Sequence, residues 1–389
     1  MQPSTLQTVM IRLLVVLAVT VGIAAPASAQ LFSTRAEQAV LLDANTGTVL
    51  FAKNADDQVP PASLAKLMTM EVVFHALKVG RLSMDDEFQV SENAWRTGGA
   101  VSGGSTMFAE LGSSIRVEDL IQGVIVQSAN DGCIIIAEGM AGSEGLFARL
   151  MNARAREIGL NNSIFMNSTG LPDPLQKVTM RDLAKLADHI RREYPEYYKY
   201  YSQPQFTWNK ILQRNRNPLL TMDIGADGMK TGYTEESGYA IVGSINKDGR
   251  RLIAAMSGLP DQRARGEEAR KLLEWGLRAF EPYQIFEKNE EIGNVRLYGG
   301  EQLTVPVTVK EDLSILLPIT DRDNMKARII YTGPIMAPVE EGQEIATLKV
   351  WIGDNLSQET PLYAAYSVGL GPIHRRALDA LTELAFGWI

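Results

Sequence analysis

Apolar and polar positions alternate with a period of two near both ends of the first 280 or so residues, and recur every three to four residues between them. Residues 39–43 and 48–52 flank Ala44-Asn45-Thr46-Gly47, residue types that tolerate tight turns, and so predict a hairpin. From Ser63 to about Gly225 the helical period dominates, with helices predicted over 117–140, 144–158 and 180–192 and Gly- and Ser-rich loops between them. Strands return over 239–245 and 251–257 about Asn246-Lys247-Asp248-Gly249-Arg250, and a helix follows over 267–280. The early and late strands can share one antiparallel sheet with the helices inserted between them, an α/β (α+β) arrangement. After Glu281-Pro282 the pattern shortens to β-rich runs at 303–309, 313–317, 327–331, 345–352 and 362–368, which predict a small all-β sandwich. Residues 373–389 are helical in period again. Ile373, Ala377, Leu378, Leu381, Leu384, Ala385 and Trp388 fall on one side, and His374, Arg375, Arg376, Asp379, Thr382 and Glu383 on the other.

A chain of 389 residues, 45% hydrophobic, can bury a full core and is too long for one ordinary compact domain. Residues 1–29 hold one charge, Arg12, then an apolar run over 13–25, Pro26 and the small triplet Ala27-Ser28-Ala29, the pattern of a secretory leader cleaved after Ala29. About 13 apolar residues are too few to span hydrocarbon, which takes roughly 20. The expected division is a leader over 1–29, a mixed domain over 30–282, a β-rich domain over 283–370 and an amphipathic helix over 371–389. Net charge is −8, or −9 once Arg12 leaves with the leader, without a long basic run, so nucleic acid is an unsuitable partner. Cys133, the only cysteine, can form no internal disulfide and reads as a small buried apolar residue. No metal-ligand spacing or dinucleotide loop occurs, so neither metal nor cofactor is expected.

Three short motifs carry candidate chemistry: Ser63-Leu64-Ala65-Lys66, Ser128-Ala129-Asn130 and Lys230-Thr231-Gly232. The first two are weak singly, because 244–247 also fits S-x-x-K while 91–93 and 244–246 also fit S-x-N. Order and context strengthen them: a helix start, a loop before a helix, then a strand. Ser63 follows Pro60-Pro61 and precedes Leu64, Leu67, Met68, Met70, Val72 and Val73, which places it in the first turn of an apolar helix. Residues i and i+3 share a face, so Lys66 can set its amine beside the Ser63 hydroxyl. Burial should depress that amine towards a value at which it serves as a base. The three histidines, His75, His189 and His374, sit where packing or surface roles are expected, which disfavours a Ser-His-Asp mechanism. In a Ser-Lys mechanism Ser128 relays a proton to the leaving amine, Asn130 holds the substrate amide and Lys230 steadies Ser128 and attracts a carboxylate. Thr231 can bond the same carboxylate, Gly232 admits the substrate backbone, and the N–H groups of Ser63 and Tyr233 are the expected oxyanion donors.

The three motifs together match the set of penicillin-recognising enzymes. The chain resembles the low-molecular-weight penicillin-binding D-alanyl-D-alanine carboxypeptidases, serine peptidases that trim peptidoglycan pentapeptides. Further likeness lies in Gly103-Gly104-Ser105 with Met107-Phe108, in Asn215-Arg216-Asn217, in Asp227-Gly228-Met229 before K-T-G, and in Arg265 ahead of Lys271-Leu272-Leu273-Glu274-Trp275-Gly276. The resemblance implies a transpeptidase/β-lactamase-like catalytic domain, a β-rich second domain and a C-terminal helix resting on a membrane surface through residues 373–389. It gives Arg265 a part in binding the terminal carboxylate, and leaves the Tyr233 side chain open, since that position varies among relatives. It also implies a pentapeptide ending in D-Ala-D-Ala as substrate, β-lactam antibiotics as inhibitors, and a periplasmic location on the outer face of the cytoplasmic membrane. Three rival readings share the motifs. A β-lactamase would need a deacylating glutamate, but no Glu lies between Ile158 and Arg192, and residues 283–389 would go unexplained. A transpeptidase or endopeptidase differs only in what accepts or leaves. A non-catalytic penicillin sensor has no need of a buried amine beside a hydroxyl.

Overall fold

A computed structural model describes residues 32–319, 325–353 and 355–386, so the expected leader and the last three residues of the tail lie outside the described residues. Five antiparallel strands from both ends of the first domain form one sheet in the order β2-β1-β5-β4-β3. They are β1 (Gln38–Asp43), β2 (Val49–Lys53), β3 (Ala226–Thr234), β4 (Gly238–Lys247) and β5 (Arg250–Leu259). The first hairpin is set by Asp43, whose Oδ1 accepts from the backbone N–H of Asn45 and Thr46 at 3.1 and 2.9 Å. The second turns on Asp248 and Gly249, both left-handed at φ 53° and 79°, a geometry that matches the natural twist of paired strands.

Both faces of this sheet are covered, and the alternation of side chains along each strand divides the core. The helical insert takes one face through Val40, Val242, Ile253 and Ala255. It comprises α1 (Lys66–Lys78), α2 (Val117–Gln122), α3 (Asn130–Ala141), α4 (Glu144–Glu157) and α5 (Met180–Glu193). Helix α6 (Gln262–Arg278) takes the other face, so closely that a Cβ at Gly276 would lie 2.5 Å from Leu41 and 2.9 Å from Leu252. Helix α1 is buried at eleven positions, Lys66 among them, which makes it the axis of the insert.

The single helix expected over 117–140 is in fact interrupted. α2 widens into a π-turn over Gly123–Gln127 and stops at Ser128, whose left-handed φ of 65° cannot continue the i→i−4 ladder. The apolar period runs through the break because Val124, Ile125 and Val126 stay buried.

Beyond α6 the chain forms β6 (Phe280–Phe286), β7 (Glu291–Tyr298), β8 (Thr304–Thr308), β9 (Leu313–Pro318), β10 (Met325–Ile330), β11 (Ile335–Met336), β12 (Glu344–Ile352) and β13 (Asn355–Ala364). A six-stranded sheet, β10-β12-β13-β8-β7-β11, shares one core with the β6-β9 pair around Val295, Val307, Ile315, Val350 and Leu362. β13 begins seven residues before the strand expected over 362–368 and ends within it, and the expected runs do not include β6 and β7. Strand β13 also meets the first hairpin: Ser357 Oγ donates to the Val49 carbonyl at 3.0 Å and Gln358 Nε2 to that of Thr46 at 2.9 Å. The tail forms α7 (Ile373–Phe386), and Asp379 Oδ2 accepts from Gly299 N–H at 2.8 Å. No helix among the described residues is long and apolar enough to cross a membrane.

Candidate active site

The S-x-x-K motif folds as a tight 3₁₀ turn, Ala62–Ala65, that runs directly into α1. Leu64, Ala65, Leu67 and Met68 are fully buried and anchor the turn, leaving Ser63 partly open to the cleft. Lys66, only 1% exposed, donates from Nζ to Ser63 Oγ at 2.9 Å, to Asn130 Oδ1 at 2.8 Å and to the Thr169 carbonyl at 2.6 Å. Burial pulls this amine down to about 8 from the ordinary lysine value, and the nearby Arg216 guanidinium adds to the effect. Ser63 Oγ therefore has an amine, and not an imidazole, as its neighbour. His189 lies elsewhere, with Nε2 3.5 Å from the buried Glu71 carboxylate.

The S-x-N motif sits at the helix break. Ser128 is buried and its Oγ has no hydrogen-bond partner, two residues before the Asn130 that bonds Lys66. Asn130 opens α3, and its backbone N–H donates to the Ser105 carbonyl at 2.7 Å. The next residue, Asp131, is fully buried and ties the facing loop to the motif: its carboxylate accepts from Thr106 Oγ1 at 2.6 Å, Met107 N–H at 3.0 Å and Ala109 N–H at 3.1 Å.

K-T-G lies on β3, the last strand on its side of the sheet, so its outer edge is open to an added peptide strand. Gly232 is required by close approach: a Cβ there would lie 3.1 Å from Ala62 Cβ and 3.2 Å from Ser63 N. That spacing brings the face of the strand at Gly232, next to Tyr233, against the turn carrying Ser63. Lys230 is 3% exposed and donates to the Thr231 carbonyl at 3.1 Å. Burial, then the neighbouring cations Lys66, Arg216 and Arg265, hold its amine well below the usual lysine value. Arg265, near the start of α6, is 6% exposed and its Nε lacks a partner. The arrangement thus joins a hydroxyl, a depressed amine, an unpaired second hydroxyl and buried cations along one open strand edge. Such a set can attack a carbonyl and hold an anion.

Three contributors escaped the motif reading. Arg216 donates from Nη1 to Ser105 Oγ at 2.6 Å, and its guanidinium acts on both Lys66 and Lys230. Thr169 offers a backbone carbonyl, which leaves no residue-type signal. Its loop is held by Asn167 Oδ1, which accepts from Gly170 N–H at 2.8 Å, and Gly170 is left-handed at φ 82°. Its sequence trace is only a Gly closing a Ser- and Asn-rich stretch over 161–170. Asp131 stands beside S-x-N but outside its pattern. No group of three ligand-type side chains among the described residues could hold a metal ion.

Residues 24–260 match the family model described as D-alanyl-D-alanine carboxypeptidase, and residues 280–369 match that of the penicillin-binding protein 5 C-terminal domain. The D-alanyl-D-alanine carboxypeptidase DacA of Haemophilus influenzae is 40% identical over 313 residues, covering 80% of this chain and 79% of that protein. DacC of Escherichia coli is 37% identical over 352 residues, covering 90% and 88%. Among solved structures, penicillin-binding protein 5 of Haemophilus influenzae superposes with a TM-score of 0.71 at 37% identity, over 87% of this chain and 98% of that one. With more than half of its length under one family model and relatives at 37–40% identity matched over 80–90% of it, this chain belongs to the D-alanyl-D-alanine carboxypeptidase family.

Proposed function

We propose that this chain is a serine carboxypeptidase that removes the terminal D-alanine from peptidoglycan pentapeptides through an acyl-enzyme on Ser63. The observation that carries the reading is a buried Lys66 amine 2.9 Å from Ser63 Oγ. The neutral amine takes the hydroxyl proton as Oγ bonds to the carbonyl carbon of the penultimate residue, and the resulting oxyanion is held by the N–H groups of Ser63 and Tyr233. Collapse breaks the C–N bond. Ser128 relays the proton from Lys66 to the leaving nitrogen, D-alanine departs, and Asn130 keeps the peptide amide in place. Water then attacks the ester, with Lys66 as base again, and releases the shortened peptide.

Lys230, Thr231 and Arg265 read the substrate's free carboxylate in this scheme, while Gly232 lets its backbone lie along β3. A penicillin enters the same steps, but its leaving nitrogen stays tethered to the acyl group. Without a glutamate over 158–192 to activate water, that adduct persists. Incubating the mature protein with a D-Ala-D-Ala-terminated pentapeptide and assaying free D-alanine tests the function. Release is expected, and its absence from a protein that still binds penicillin would favour the sensor reading.

The pH dependence follows from Lys66. A base must be unprotonated, and burial sets the Lys66 amine at about 8. Acylation by a penicillin should therefore rise about tenfold per pH unit across the acid side and level off above the amine's pKa. A labelling rate that stays flat from weakly acid to weakly alkaline pH would contradict this role for Lys66.

The proposed organisation places a leader over 1–29, the catalytic domain over 30–282, the β-rich domain over 283–370 and a membrane-associating helix over 371–389, with the protein exported and resting on the outer face of the cytoplasmic membrane. Ile373, 81% exposed at the start of α7, supports an apolar face without protein cover there. Arg375 and Arg376 are balanced by Asp379 and Glu383, so apolar burial is the main attraction. The five large side chains of the stripe contribute at most about 7–15 kcal/mol before ordering costs. The full chain should sediment with lipid vesicles at low and high salt, while a version ending at Pro372 stays in the supernatant. Equal behaviour of the two, or loss of β-domain stability on truncation, would make the tail a packing helix.

A further inference from the structure

Arg265 is a buried cation whose Nε has no hydrogen-bond partner, and Arg216 and Lys230 surround it with like charge. Such a guanidinium would gain by swinging out to water unless something held it. What faces it is an aromatic ring: its Cζ lies 5.5 Å from the centroid of Tyr239. Tyr239 is in turn backed by Tyr233, with ring centroids 4.3 Å apart and planes inclined by 35°.

The sheet builds this stack. Tyr233 and Tyr239 are direct cross-strand partners on β3 and β4. The turn between them is pinned by Thr234 and Ser237, whose hydroxyls lie 2.8 Å apart and whose backbone N–H groups each donate to the other's Oγ. On the far side of β4 the pairing with β5 slips next to Tyr239, where Gly258 is left-handed at φ 70°. A bulge of this kind re-aims neighbouring side chains.

We infer that Tyr239, backed by Tyr233, is a positioning residue that holds Arg265 in the cleft, ready for the substrate carboxylate before the substrate arrives. The inference rests on the reading of Arg265 as a carboxylate reader and adds what aims it. A long, rotamer-rich side chain ordered in advance costs the substrate less on binding. The role also accounts for the Tyr233 side chain, which backs the stack while its N–H serves the oxyanion.

The experiment compares a D-Ala-D-Ala peptide with a free C-terminal acid against the same peptide as its C-terminal amide, measuring kcat and KM separately for Arg265→Ala, Tyr239→Phe, Tyr239→Leu, Tyr233→Ala and the Tyr239→Leu/Arg265→Ala double variant. Arg265→Ala should lose about ten- to a hundredfold on the acid and little on the amide. Tyr239→Phe keeps the ring face and should keep the acid-over-amide ratio. Tyr239→Leu should raise KM for the acid by about three- to tenfold with little change in kcat, and should add nothing in the Arg265→Ala background. Tyr233→Ala, at a half-exposed side chain, should lower the ratio in the same direction by less. Equal losses on acid and amide in Tyr239→Leu, or full additivity with Arg265→Ala, overturn the positioning role while leaving Arg265 as reader. Should Tyr239→Leu not fold, an unchanged ratio in Tyr233→Ala overturns it. An Arg265→Ala variant that loses equally on both substrates overturns the reading of Arg265, and the inference with it.

Discussion

Replacing Lys66 by alanine is expected to slow penicillin labelling of Ser63 by about a hundred- to ten-thousandfold, the usual worth of a general base. Lys66→Arg should fare no better, because a guanidinium does not give up its proton near neutral pH. The alanine variant's loss should not come from unfolding, and the linkage explains why. The folded-state pKa of Lys66, about 8, lies below that of an unfolded lysine, so the folded state binds this proton less tightly. Below that pH the buried amine therefore costs stability, on the order of 3 kcal/mol, a cost relieved as pH rises towards the unfolded value. Removing it lifts that cost but leaves Asn130 Oδ1 and the Thr169 carbonyl without their donor, a loss of about 1–3 kcal/mol each. The opposing terms predict a melting temperature near the parent's beside a collapsed labelling rate. Labelling within tenfold of the parent, in a folded variant, would contradict the assignment.

Asp131→Ala should instead strike stability. The carboxylate is fully buried and accepts from Thr106, Met107, Ala109 and its own neighbour Gly132. Alanine strands several backbone donors at once, and a loss of about 3–5 kcal/mol is expected. That corresponds to roughly 6–20 °C in melting temperature for a domain of this size. Because the loop it ties supplies the Ser105 carbonyl to Asn130 and the Ser105 hydroxyl to Arg216, labelling should slow as well. Calorimetry and a labelling time course check both, and a melting point within about 2 °C of the parent would remove Asp131 from this role.

What could be read from the sequence was whatever has a local period. The two hairpins carry alternation and turn residues, and Ser63 with Lys66 needs only the geometry of one helical turn. Sites assembled by tertiary approach left weaker traces. Arg216 was visible only as part of a likeness, since nothing local says that it reaches Ser105. Thr169 contributes a carbonyl that any residue could supply. The break at Ser128 is hidden because the apolar run on its two sides faces the same core. Strand β13 was misplaced for a similar reason: Ser357 and Gln358 look like loop residues, yet their polarity serves the contact with the Thr46–Val49 hairpin end. Strand β6 is exposed at four successive positions, Glu281 to Gln284, and so carries no alternation to read, while β7 begins on the exposed Glu291 and buries only Val295 and Leu297 fully.

Acyl-enzyme formation is read most directly by treating the mature protein with a penicillin and locating the added mass by peptide mass spectrometry, alongside a D-alanine release assay on Ser63→Ala. The adduct is expected on the peptide that contains Ser63, absent from the variant, with D-alanine release abolished. An adduct on another residue, or a Ser63→Ala protein that still releases D-alanine at the parent rate, would contradict it.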